Sequence, residues 1–146
     1  MKLPDVNIWF ALSVRSHPHH NAVMHWFDGQ ESPASVFFCR ATQQGYLRLL
    51  TTNAVMKSYE LEAASNRIAW ESFVELLNDP RIFFAPEPSG IDETWKSLAL
   101  RKTPSPKLWM DAYLAATAIR SGFQLVSADK AFSQFKGLDF HLIGGK

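Results

Sequence analysis

Apolar residues fall along the chain in short continuous runs, alternating with longer segments in which they return every three or four positions. Those are the periods of buried strands and amphipathic helices. Residues 2–6 form the first run, and residues 7–14 (NIWFALSV) then carry apolar side chains at helical as well as alternating spacing, which predicts a strand turning into a helix near Asp5. Pro4 cannot donate to a ladder, so the strand is expected to end at or before it. In residues 20–27, Val23, Met24, Trp26 and Phe27 form one face of a helix that Asp28-Gly29 ends. Residues 35–39 (SVFFC) read as a buried strand running into a helix over 41–50 (ATQQGYLRLL), which tolerates one glycine.

From 61 to 77, Ala63, Ala64, Ile68, Phe73, Leu76 and Leu77 recur at helical spacing until Asn78-Asp79-Pro80 stops them, and 81–85 (RIFFA) makes a third strand. After a loop at 86–90, Asp92 can cap a short helix through Leu100 with Trp95, Leu98 and Ala99 inward. A polar segment over 101–107 precedes an alanine-rich helix at 108–121 that stops at Gly122. Residues 123–126 follow as a fourth strand, Asp129 caps a last helical turn, and 140–143 add a short edge strand. The alternation predicts an α/β fold, a three-layer α/β/α sandwich with a mostly parallel central sheet. Trp9, Phe10, Phe37, Phe38, Phe83 and Phe84 read most simply as its core.

At 146 residues the chain is long enough to bury a core unaided and reads as a single domain over 1–146. Cys39 has no second cysteine to pair with, and no secretory signal pattern opens the chain, so a cytoplasmic setting is expected. No apolar run approaches the roughly 18–20 residues that cross a bilayer, and no membrane role is expected. Net charge is only +1, so a nucleic-acid partner would be held by a local basic patch.

The carboxyl edge of a parallel sheet gathers strand ends and the starts of returning helices. Asp5 follows the first strand, Asp129 the fourth, and Asp111 lies in the first turn of the helix entering that fourth strand, so all three are expected to converge. Clustered carboxylates repel one another, and a divalent cation relieves them; an all-oxygen donor set suits Mg²⁺ or Mn²⁺ and the hydrolysis of phosphodiesters. Asp5 and Asp129 also sit where helices begin and read equally as N-caps, whereas Asp111 lies between Met110 and Ala112 inside an apolar helix.

The local sequences resemble a known family. DVNIWFAL around Asp5, MDAYLAATA around Asp111 and LVSADKAF around Asp129 are similar to the three acidic motifs of PIN-domain nucleases. WFDGQ, TQQGYLRLLTTNAV and LLNDPRIFFAPEP resemble, in order and spacing, the VapC toxins of bacterial toxin-antitoxin pairs. The resemblance implies a Mg²⁺- or Mn²⁺-dependent endoribonuclease that cuts RNA, forms a homodimer and is silenced by a cognate antitoxin. Asp5, Asp111 and Asp129 would be its metal ligands and catalytic residues, with Asn7 and Ser127 steadying the carboxylates by hydrogen bonds. Where the family usually carries a further acidic residue, this chain has Gln43, whose amide could still ligate a cation or hold a coordinated water.

His17, His19 and His20 crowd one loop without cysteine or a His-x₃-His pair, and read as packing or capping residues rather than a zinc site. A haloacid-type phosphotransfer site would need an aspartate where Asn7 stands. Lys107 and Lys130 adjoin the expected metal edge and are candidates for RNA contact, with Trp109 or Tyr46 available to stack on a base. Trp26 or Trp95 could mark a dimer or antitoxin face. Gln43 leaves a competing expectation, a degenerate PIN domain that grips RNA or a partner without cutting.

Overall fold

In a computed structural model, which describes residues 1–144, five strands form one sheet in the order β3-β2-β1-β4-β5 with every pairing parallel. They are β1 (Lys2–Pro4), β2 (Val36–Phe38), β3 (Ile82–Phe84), β4 (Gln124–Ser127) and β5 (Phe140–Leu142). Parallel neighbours require crossovers. These are α1 (Val6–Ser13), α2 (His20–Asp28), α3 (Arg40–Leu50), α4 (Asn53–Lys57), α5 (Asn66–Leu77), α6 (Ile91–Ala99) and α7 (Leu108–Ser121).

Alternation along each strand divides the core into layers. Val36, Phe38 and Ile82 pack with Trp9, Phe10, Tyr46 and Phe73, from α1, α3 and α5. Leu3 and Leu125 pack on the opposite face with Ala112, Ala115 and Ala118 of α7. The result is the expected three-layer sandwich, with β1 in the middle and β4 beside it. No helix among the described residues is long and apolar enough to cross a membrane.

Pro4 lies inside β1 rather than beyond it, and the ladder shows how. The Lys2 N–H donates to the Ser35 carbonyl of the β2 side, whereas the Asp5 N–H donates to Val126 of β4 at 2.8 Å. Successive N–H groups point to opposite sides, so Pro4 faces β2, where it has no proton to give. Accordingly β1 matches β2 only at Lys2–Val36, but matches β4 at three successive pairs ending in Pro4–Val126.

Glycine 45 is not merely tolerated in α3. A β-carbon there would stand 2.6 Å from Cγ2 of Val6, so the missing side chain lets α3 lie directly on α1. Gly45→Leu is expected to cost about 1–3 kcal/mol through overpacking, despite its better helix propensity. Urea unfolding should show a lower midpoint with an unchanged slope.

Three local expectations need correction. The helix expected from residue 61 begins at Asn66, where the Ser65 side chain accepts the Ile68 N–H; the short α4 precedes it, and left-handed Glu60 breaks the periodicity between them. Asp92 lies in the first turn of α6, whose cap is the left-handed Gly90. Phe83 projects from the outer face of edge strand β3 and is 51% exposed, so it is not core.

Candidate active site

Asp5 and Asp129 leave the carboxyl ends of β1 and β4, adjacent strands at which the chain turns in opposite directions across the sheet. Such a switch point opens a crevice in parallel α/β sheets. One residue fastens both sides of it. The buried Ser127 hydroxyl donates to Asp5 Oδ2 at 2.8 Å and accepts the Asp129 N–H at 3.0 Å. Asp5 Oδ1 accepts the Val6 N–H at 2.6 Å, and Asp129 Oδ1 accepts the Ala131 N–H at 2.9 Å, where a 3₁₀ turn (Lys130–Gln134) begins. Each aspartate therefore caps a helix with one oxygen and presents the other to the crevice. The cap and site readings coexist.

Asp111 enters from α7, in that helix's first turn. The ammonium of Lys107, one turn earlier, lies 2.8 Å from Asp129 Oδ2 and 3.6 Å from Asp111 Oδ2. Lys107 is thus the internal counter-ion of two carboxylates, a role the sequence did not suggest when it offered this residue to RNA. An i,i+4 lysine before the aspartate was the available signal.

The three carboxyls are held in different electrostatic states. Asp5 is raised above the ordinary carboxylate value chiefly by burial; the bonds from Ser127 and Val6 oppose this, and the charges of Asp111 and Asp129 add to it. Asp111 is raised by burial and relieved by Lys107. Asp129 is lowered, first by its bond from Lys107 and then by the Ala131 N–H.

A buried carboxyl next to two others needs positive charge, and the ammonium of Lys107 supplies only part of it. Among the described residues no three or more acidic, histidine or cysteine side chains stand together as a metal-binding group, Asp5, Asp111 and Asp129 included. A hard ion such as Mg²⁺ binds through one or two carboxylates and completes its shell with waters and substrate phosphate. The donors here are oxygen only, which is the ligand chemistry such an ion takes.

The other predicted residues divide. Ser127 occupies its expected place. Gln43 is buried on α3, but its side-chain oxygen accepts from the Arg40 guanidinium, which also stacks over Phe84 at 4.6 Å. That engagement turns the amide to α3's own first turn. Asn7 is exposed and, among the described residues, makes no side-chain hydrogen bond to an aspartate. Lys130 is exposed beside Asp129. Tyr46 is fully buried with its hydroxyl on Ser13, so of the two aromatics offered for stacking only Trp109, 50% exposed, reaches solvent. Trp26 and Trp95 are half-buried, and Trp70 is the more exposed tryptophan. His17 packs on Tyr59 and accepts the His19 N–H, in keeping with a packing role.

The Lys107 contact carries a test. Lys107→Met removes a cation that competes for Asp111 and Asp129, and Mn²⁺ affinity measured by calorimetry should rise up to about fivefold, the scale of an exposed ion pair. Asp129's lowered value contributes stability that is present above the ordinary pKa of 3.8 and is lost as pH falls through its folded-state value. The variant should therefore lose less stability on acidification than the parent. Weaker Mn²⁺ binding in Lys107→Met would contradict the competition.

Comparison with known proteins shows the family and the fold. Residues 2–138 match the PIN domain family. The chain is 46% identical over 144 residues to ribonuclease VapC41 of Mycobacterium tuberculosis, covering 98% of this chain and 99% of that protein. Among solved structures, VapC20 of Mycobacterium tuberculosis, a sarcin-ricin loop cleaving toxin, superposes with a TM-score of 0.66 at 16% identity, covering 95% of this chain and 98% of that one. VapBC2 from Rickettsia felis, bound to a promoter DNA fragment, gives 0.64 at 11% identity, with 97% and 98% covered. A parallel sheet with a carboxylate crevice at its switch point, matched along nearly its whole length by a VapC ribonuclease, belongs to the PIN-domain family, and this chain is a member of it.

Proposed function

We propose that the chain is the toxin of a toxin-antitoxin pair, an endoribonuclease that hydrolyses RNA phosphodiester bonds with Mg²⁺ or Mn²⁺ held by Asp5, Asp111 and Asp129. The observation that carries this reading is the shared fastening of Asp5 and Asp129 by Ser127, with Asp111 reaching the same crevice through Lys107. The 46% identity to a ribonuclease supports the activity.

When bound, the cation would acidify a water and neutralise charge on the scissile phosphate. The chain's own residues prepare the place. Ser127 and the two helix starts fix the outward oxygens of Asp5 and Asp129, so little reorganisation is left for the reaction. Asp5, raised by burial, holds its proton more readily than Asp129 until a positive charge arrives. Lys107, with a side chain 72% exposed, stands as counter-ion to Asp111 and Asp129 at the edge where an RNA phosphate would lie, so one ammonium could serve both carboxylates and RNA.

The carboxylate missing at Gln43, with its amide engaged by Arg40, favours the second reading of a binding module that does not cut. Incubation with total RNA in Mg²⁺, in Mn²⁺ and in chelator separates the two. Metal-dependent fragmentation is expected; binding with no fragmentation in either metal selects the second.

Partners follow from the same reading. The structural neighbours include VapBC2 and FitAB, each bound to a DNA fragment, and with the toxin reading above a cognate antitoxin is proposed here, acting in the cytoplasm. A homodimer is proposed from exposed apolar residues such as Leu100, Trp109 and Met110. A stable monomer at micromolar concentration in sedimentation would remove the dimer.

A further inference from the structure

A cavity of about 660 Å³ opens against the catalytic crevice and shares Asp129 with it. Asn7, His17, His19, Tyr59 and Lys130 also line it, and its volume lies within the roughly 300–1,000 Å³ of small-molecule sites. None of these five is needed to position the three carboxylates.

One wall carries a stacked aromatic pair, whose outer surface is what a ligand would meet. His17 and Tyr59 stack at 5.1 Å between centroids and 23° between planes, and Phe10 backs both, at 5.8 Å from His17 and 5.4 Å from Tyr59. Nδ1 of His17 accepts the His19 N–H at 3.0 Å, which leaves the ring's proton on Nε2. Burial, then the neighbouring His19 and His20, hold His17 below the ordinary histidine value, so at neutral pH the wall is an uncharged ring. His19 is held in turn by the chain's far end. Gly144 is left-handed at φ 63°, and a β-carbon on it would lie 2.5 Å from His19 Nδ1.

Pro18, Ala128 and Gly144 also line the cavity, and among the described residues the side chains of Asn7 and Lys130 make no hydrogen bond or ion pair. Asn7 presents an exposed carboxamide, both donor and acceptor, and Lys130 an exposed ammonium next to Asp129. An inorganic anion would have no use for the aromatic wall, and an apolar ligand none for the amide and ammonium. A flat heteroaromatic with a hydrogen-bonding edge and an attached phosphate uses all three.

We infer that this cavity receives one unstacked nucleobase of the RNA, from a nucleotide adjoining the scissile phosphate, stacked on His17 and Tyr59 with its edge at Asn7 and its phosphate at Lys130. The inference rests on the proposed nuclease reading and names a substrate subsite of it. Cleavage would then depend on the identity of a base that must leave its stack, which a regular duplex does not offer.

The test uses the metal-free chain and the histidine ring signals in its NMR spectrum, titrated with the four nucleoside 5′-monophosphates, with ribose 5-phosphate and with inorganic phosphate. Nucleoside monophosphates should shift the His17 and His19 signals, and the two probes without a base should not. Tyr59→Leu, which keeps apolar bulk but removes the ring, should weaken nucleotide binding about tenfold. The exposed Asn7→Ala, which has little core packing to lose, should change the order of preference among the four bases. Equal shifts with ribose 5-phosphate, or unmoved rings with every nucleotide, would overturn the base site. The two readings fail separately: base-dependent shifts in a chain that never cleaves RNA remove the nuclease alone, and cleavage without such shifts removes the subsite alone.

Discussion

Asp5→Asn should reduce RNA cleavage by about a thousandfold or more while leaving the metal-free protein at least as stable as its parent at neutral pH. The loss corresponds to about 4 kcal/mol, within what a misplaced or absent metal ion withholds from a phosphoryl transition state. The unchanged stability has a local cause. Asparagine is as good an N-cap as aspartate, so the Val6 N–H keeps its acceptor. Ser127 can rotate to accept from the new amide while still accepting from Asp129, since a hydroxyl oxygen has two lone pairs. The carboxylate itself is a burden without a cation. Its value is raised in the fold, so the proton is bound more tightly there than in the unfolded chain, and ionisation removes stability as pH rises from 3.8 through the folded-state value. Parent and variant melted across that range should diverge, the parent losing stability as pH rises. Added Mn²⁺ should raise the parent's melting temperature more than the variant's. Cleavage within tenfold of the parent would take Asp5 out of the site.

Phe38→Ala is expected to cost about 3–5 kcal/mol, a large part of the roughly 5–15 kcal/mol that holds a domain folded. Phe38 is fully buried at the end of β2 and lies face to face with Trp9 at 3.8 Å, with Tyr46 and Phe73 packed edge-on at 5.9 and 5.0 Å. Helices α1, α3 and α5 thus meet on one ring. Trp9 adds to the cost, because the substitution removes the ring on which its indole is stacked. Chemical denaturation should show a lowered midpoint, and a drop under about 1 kcal/mol would mean that the three helices close over the gap.

Strand and helix order were readable because buried parallel strands are short apolar runs, and the helices carry clear stops such as Gly122, left-handed at φ 70°. Topology alone brought Asp5 and Asp129 to one sheet edge, where Ser127 links them and Lys107 links Asp129 to Asp111. What the sequence hid was partnership at longer range. Lys107 reads as a candidate RNA contact until β4 delivers Asp129 to it. Gln43 reads as a substitute ligand because it stands where the resembled family usually carries an acidic residue, and its ordinary i,i+3 spacing to Arg40 does not say which way the amide turns. The boundary near residue 61 was lost because apolar periodicity continues through a segment whose backbone passes through a left-handed residue, Glu60 at φ 62°. Phe83 was misplaced because an edge strand has the same apolar composition as a central one.

The single pairing between β1 and β2 divides the sheet mechanically. Toward β4, β1 is stitched at every residue; toward β2 its ladder is joined once, at Lys2, and the rest of the junction is side-chain packing, α1 on α3 at Gly45 and Trp9 on Phe38. Asp5, Ser127 and Asp129 all belong to the β1-β4-β5 side of that seam, and Arg40 and Gln43 to the β2-β3 side. The position where an acidic residue was expected therefore lies across that seam from Asp5 and Asp129.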